Sequence, residues 1–236
     1  MRRAELLAVF ALLAAPIARA QDTMSHAPHM EWGRTSFLLT EVLERRTSGD
    51  AVRFDLVGWV GGSSRRFWFK ADGALLEGDK ELQALYGRMI APYWDLQLGA
   101  WADIDSGDPV DAPIRGGAAI GVQGIAPGWF DVDAALLIGT DARLSSRLTA
   151  SHDLYVTQRL ILQPRLEASW AARPDRQRRM GAGLGETELA LRLRYEIRRE
   201  FAPYLGVAWD RAFGETGTLD PTSGRRQFAL GLRLWF

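Results

Sequence analysis

The 236-residue chain carries 29 Lys and Arg against 29 Asp and Glu, has no cysteine, and is 47% hydrophobic. Zero formal net charge gives no electrostatic pull toward nucleic acid, and the lack of cysteine excludes both a disulfide framework and a thiolate metal site. Beyond the first twenty residues no run of about eighteen apolar residues occurs, so a membrane location would require strands rather than a spanning helix.

Residues 1–20 read as a secretory signal: Arg2 and Arg3 are a basic start, residues 6–15 an apolar run, and Ala18-Arg19-Ala20 a small-residue cleavage site. Cleavage before Gln21 removes Arg2, Arg3, Arg19 and Glu5 and leaves 26 basic and 28 acidic residues, a net charge of −2. Residues 21–31 have no periodicity and little to bury, which predicts a flexible segment containing Met24, His26, His29 and Met30. From Trp32 to Phe236 the pattern is strand, turn, strand. Candidate strands cover 35–46, 51–61, 65–74, 80–91, 93–104, 114–126, 128–140, 142–157, 159–172, 184–200, 202–213 and 225–236. Twelve is an even number, as in single-chain bacterial barrels.

The connections alternate in length. Gly61-Gly62-Ser63-Ser64, Ala91-Pro92, Ala126-Pro127-Gly128, Thr157-Gln158-Arg159 and residues 200–203 are tight, whereas 103–113, 172–183 and 214–224 are long and rich in Gly, Pro, Asp and Arg. Short turns at one end and long loops at the other are the asymmetry of an outer-membrane barrel, with turns in the periplasm and loops outside. A repeat supports the same frame: Ile90-Ala91-Pro92-Tyr93-Trp94, Ile125-Ala126-Pro127-Gly128-Trp129 and Phe201-Ala202-Pro203-Tyr204-Leu205 are variants of one motif, with Gln163-Pro164-Arg165-Leu166 a weaker fourth. Each proline is expected at a strand start, where its missing N–H breaks no central ladder bond. Tyr93, Trp94, Trp129, Phe130 and Tyr204 then belong to an interfacial aromatic girdle.

Alternation assigns the two faces. Leu96, Leu98 and Ala100, then Phe130, Val132, Ala134, Leu136 and Ile138, then Leu189, Leu191, Leu193, Tyr195 and Ile197 are expected toward lipid. Their alternates include Arg53 and Asp55, Lys70 and Asp72, Asp95 and Gln97, Asp131 and Asp133, Arg165 and Glu167, and Glu188, Arg192, Arg194, Glu196 and Arg198. An Arg or Lys facing lipid at mid-bilayer costs about 2–4 kcal/mol, so this many charges belong in the lumen. Both signs occur together, which predicts a paired network and a narrow or occluded interior. The last strand repeats the rule, with Phe228, Leu230, Leu232, Leu234 and Phe236 on one face and Ala229, Gly231, Arg233 and Trp235 on the other. It resembles the C-terminal signature of bacterial outer-membrane barrels. The predicted fold is therefore all-β, a transmembrane antiparallel up-and-down barrel of the outer membrane.

Longer motifs carry a more specific likeness. Trp-Gly-Arg-Thr-Ser-Phe at 32–37, Arg-Phe-Asp-Leu-Val-Gly-Trp-Val-Gly-Gly at 53–62, Ile-Ala-Pro-Tyr-Trp-Asp-Leu-Gln-Leu-Gly at 90–99 and the stretches 121–134, 157–167 and 191–207 resemble copper resistance protein B (CopB). The resemblance implies an outer-membrane barrel of a Gram-negative bacterium, usually encoded with periplasmic copper-handling proteins, that supports copper tolerance by binding the metal or assisting its export. Family members carry a long Met- and His-rich region before the barrel, and here that region is short. Thioether sulfur suits Cu(I) and imidazole accepts either copper oxidation state, so Met24, His26, His29 and Met30 form the candidate copper site, weak or transient in its hold. Met89 and Met180 are isolated in sequence.

Two rivals stand beside copper binding. A passive diffusion channel would use the lumen alone, without metal specificity. An outer-membrane hydrolase is suggested by Ser151-His152-Asp153, but adjacent residues of an extended strand point to opposite faces, so Ser151 and His152 are not expected to form a dyad.

Overall fold

Where apolar and polar residues alternate, the chain is extended, and the length of each alternating run sets the length of the strand. The structure, a computed structural model, describes residues 35–47, 51–75, 78–105, 115–174, 180–219 and 224–236. The expected signal peptide and the Met- and His-containing segment lie outside the described residues. The strands are β1 (Thr35–Arg46), β2 (Val52–Gly61), β3 (Arg65–Ala74), β4 (Asp79–Ala91), β5 (Trp94–Asp105), β6 (Arg115–Ala126) and β7 (Phe130–Gly139). They continue with β8 (Leu144–His152), β9 (Leu154–Tyr155), β10 (Leu160–Ala171), β11 (Gly183–Tyr195), β12 (Phe201–Ala212) and β13 (Arg226–Trp235). One six-residue helix, α1 (Gly214–Leu219), follows β12.

Every pairing is antiparallel, and β13 returns to β1 with Leu39 opposite Trp235 and Arg46 opposite Ala229. The sheet therefore closes on itself, and closure leaves no unpaired edge. Backbone bonds finish the seam: the Leu38 N–H donates to the Phe236 carbonyl at 2.9 Å and the Phe236 N–H to the Leu38 carbonyl at 2.8 Å. Since β8 and β9 both pair with β10 in one register, they are two parts of one stave, and the barrel has twelve.

The break between β8 and β9 has an identifiable cause. Leu160 and Ala172 bond across to Val156 and Leu144, so the even-numbered residues of β10 direct their backbone groups toward this stave. In that register Pro164 faces His152 and has no N–H to give. Pro164 thus lies inside a strand rather than at its start, and its ladder is interrupted, contrary to the sequence expectation. Pro203, third in β12, pairs with Leu232 of β13, while the β11–β12 ladder ends at Tyr204. Pro92 and Pro127 sit in turns. In the second of these the Trp129 N–H donates to the Ala126 carbonyl at 3.1 Å, and Gly128 takes φ +87° as the third residue of a type II turn requires. Tyr93 and Trp129 adopt φ of 66° and 64° and project from the turns, 71% and 76% exposed, as girdle residues do.

Two element expectations change. The strand predicted over 184–200 stops at Tyr195, because residues 196–200 form a turn closed by reciprocal bonds between Arg198 and Phe201. The loop predicted over 214–224 contains α1. The loop asymmetry is partial: connections at 106–114, 172–182 and 213–225 are long, while β1–β2, β3–β4 and β7–β8 at the same end are short.

Candidate functional site

Alternation places Leu189, Leu191, Leu193 and Tyr195 on the exposed outer surface and Glu188, Arg192 and Arg194 on the buried inner one. A buried charge is tolerable only when paired and hydrogen-bonded, and the lumen is organised by that need. Around the seam, Arg46 donates to both oxygens of Glu188 at 2.9 and 2.6 Å and to Glu44 at 2.6 Å. Arg53 reaches the same Glu188 at 2.7 Å, and Glu44 also accepts from Arg192 at 3.2 Å and from the Tyr204 hydroxyl at 3.0 Å. Further around, Arg165 pairs with Asp55 at 2.5 Å, Glu167 at 2.7 Å and Glu41 at 3.1 Å. Arg147 on β8 spans the interior to Asp72 on β3 and Glu81 on β4, at 2.9 and 3.1 Å, and Lys70 on β3 reaches Asp133 on β7 at 2.5 Å. Apart from Arg46–Glu44 and Arg165–Glu167, which lie on one strand each, these pairs connect staves that are not neighbours, so they are crossbars. Arg198, expected in the lumen, is instead exposed in the turn after β11.

The remaining wall is apolar. Trp68, Leu85, Trp101, Ala119 and Leu137, from β3 to β7, form a buried cluster inside the barrel, with Val57, Trp59 and Ala135 against it. Arg66 lies over Trp59 at 4.6 Å from the ring centre and holds Asp95 at 3.2 Å. A cavity of about 810 Å³ remains between the crossbars, and its lining includes Met89 and Met180 as well as Arg165, Glu167 and Asp133. The two methionines, isolated in sequence, thus share the walls of one space.

Met24, His26, His29 and Met30 lie outside the described residues. Among the described residues no group of three or more His, Cys, Asp or Glu is placed to hold a metal ion. The Ser151-His152-Asp153 run is not a relay. Ser151 is buried in the wall, His152 has Nδ1 3.0 Å from the Trp129 carbonyl and its ring 4.8 Å from Phe130, and Asp153 accepts from Gln163 at 2.9 Å and Arg194 at 2.6 Å.

A closed twelve-stave antiparallel cylinder with an apolar exterior and an ion-paired interior defines an outer-membrane β-barrel. The NanC porin has the same fold, with a TM-score of 0.51, 11% identity, and coverage of 85% of this chain and 99% of that one. The family described as "Copper resistance protein B precursor (CopB)" matches residues 34–236. A copper resistance protein B homolog of Pseudomonas syringae pv. tomato is 37% identical over 229 residues, covering 92% of this chain and 76% of the relative. Copper resistance protein B of Escherichia coli is 36% identical over 208 residues, covering 84% and 69%. The chain belongs to the copper resistance protein B family.

Proposed function

We propose that this protein supports copper resistance by binding copper ions weakly through Met24, His26, His29 and Met30 on the periplasmic side. The bound ions are sequestered there or passed on for export with periplasmic copper-handling proteins. The barrel fixes that segment to the outer membrane, with its short turns in the periplasm and its long loops outside. The observation that carries this reading is how the lumen uses its carboxylates. Glu44, Asp55, Asp72, Glu81, Asp133, Glu167 and Glu188 each accept from an Arg or Lys, so they are occupied as acceptors before any metal arrives. Two thioethers and two imidazoles within seven residues are the donor set that softness favours for copper.

The test is copper titration of the detergent-folded protein with and without residues 24–30. The intact protein is expected to bind in the micromolar range or weaker, and the deletion to abolish binding while the barrel still shifts on a gel when heated. Equal binding by both would overturn the assignment. The channel reading has one observation in its favour, the cavity of about 810 Å³, and stepwise copper-independent conductance in planar bilayers would support it.

A further inference from the structure

Charge is sorted by sign across the barrel wall. The strand carboxylates whose side chains are described face inward, and the exposed ones, Asp131 and Glu186, line the lumen cavity. Among the described residues, the charges that strands turn outward are Arg45, Arg65, Lys80, Arg88, Arg211 and Arg226, all basic.

Three of the six lie together. Arg211, Arg226 and Arg45 belong to the loop-facing ends of β12, β13 and β1, which are consecutive around the barrel. Arg226 is paired with Trp209, two residues from Arg211, a diagonal of about 7–8 Å. Arg45 is paired with Leu230, four residues along β13 from Arg226, or about 14 Å. Beside them are Leu205, Phe228 and Leu230, which are 63%, 65% and 64% exposed, with Leu205 and Leu230 directly opposite each other. A guanidinium fork matches a phosphate in a bidentate manner, and a strip of exposed Leu and Phe next to it matches acyl chain.

We propose that Arg45, Arg211 and Arg226, with Leu205, Phe228 and Leu230, form a docking face for a phosphorylated, multiply acylated lipid of the outer leaflet. This rests on the orientation above, which places the loop-facing ends outside. Three cations spread over about 14 Å of strand can engage a headgroup bearing two phosphates. None of Met24, His26, His29 and Met30 belongs to this face, so the contact is tested separately from copper binding.

The experiment uses the full-length folded protein in phosphatidylcholine nanodiscs containing a minor fraction of bis-phosphorylated lipid A. Native mass spectrometry then counts the lipid A retained after transfer to neutral detergent. Wild type is expected to retain it, and the triple variant Arg45→Ala, Arg211→Ala, Arg226→Ala to retain about tenfold less or below. The Arg65→Ala, Arg88→Ala variant, altered at the opposite rim, is expected to behave as wild type. Dephosphorylated lipid A is expected to be lost, and inorganic phosphate not to displace the intact lipid. Equal retention by the triple variant and wild type, or an equal loss at the opposite rim, would overturn the docking face while leaving the barrel intact. A wild-type chain with no heat-dependent gel shift would instead remove the membrane assignment, and this proposal with it.

Discussion

At Gly231 a methyl group would lie 2.4 Å from the Tyr204 ring, so the absence of a side chain there is what lets Tyr204 lie flat across the seam and reach Glu44. Trp68 covers Gly87 in the same way, with a Cβ there 2.4 Å from the indole nitrogen. Gly231 was legible as part of a C-terminal pattern, but its steric purpose was not, because Tyr204 lies 27 positions earlier. Gly231→Val is expected to lower stability by about 1–3 kcal/mol, as overpacking does. Replacing Tyr204 with Ala in the same chain should recover part of that loss. The check is a double-mutant cycle on the heat-dependent gel shift in a fixed detergent, and additive losses would show that the two residues do not contend for space.

Among the elements, β10 and its neighbour show what alternation can and cannot announce. Leu160, Leu162 and Leu166 alternate with Ile161, Gln163 and Arg165 across Pro164 without a break, so the sequence predicts one uninterrupted stave over 142–157 beside it. The missing N–H of one residue divides that stave in two. Pro164→Ala supplies the donor facing His152, and hydrogen exchange at the amides of residues 152–154 is expected to slow. Unchanged exchange would mean that another contact holds the gap open. After Tyr195, Ile197 keeps the apolar rhythm going although the backbone has already turned, which is why periodicity alone predicts a strand five residues too long. Helix α1 gives no such rhythm: its Gly214 and Gly217 lower helix propensity and mask it.

Over the whole molecule, the sorting of charge inward and hydrocarbon outward was readable from the sequence, because it depends only on parity along each strand. Which charge meets which was not. Arg147 finds Asp72 across 75 residues and Arg165 finds Asp55 across 110, pairings fixed by stave count and shear rather than by anything local. The proposed copper donors were read from residue types alone and lie outside the described residues. Because these crossbars span the bore, Arg147→Ala combined with Lys70→Ala is expected to raise single-channel conductance in planar bilayers above that of the wild type. The same change should cost about 3–5 kcal/mol of stability by removing the cations that pair with Asp72 and Asp133 and by leaving Glu81 with Gln83 alone. A conductance equal to wild type would place the barrier elsewhere in the lumen.

The seam joins the first stave to the last, so Glu44 and Arg46, made early, wait for β11, β12 and β13 before they are fully satisfied. Such distant pairing makes assembly slow and leaves an unfinished sheet exposed until the last stave arrives. A chain truncated during synthesis would present two raw margins and a cluster of stranded ions, so completeness of translation is checked by the chemistry of the join itself.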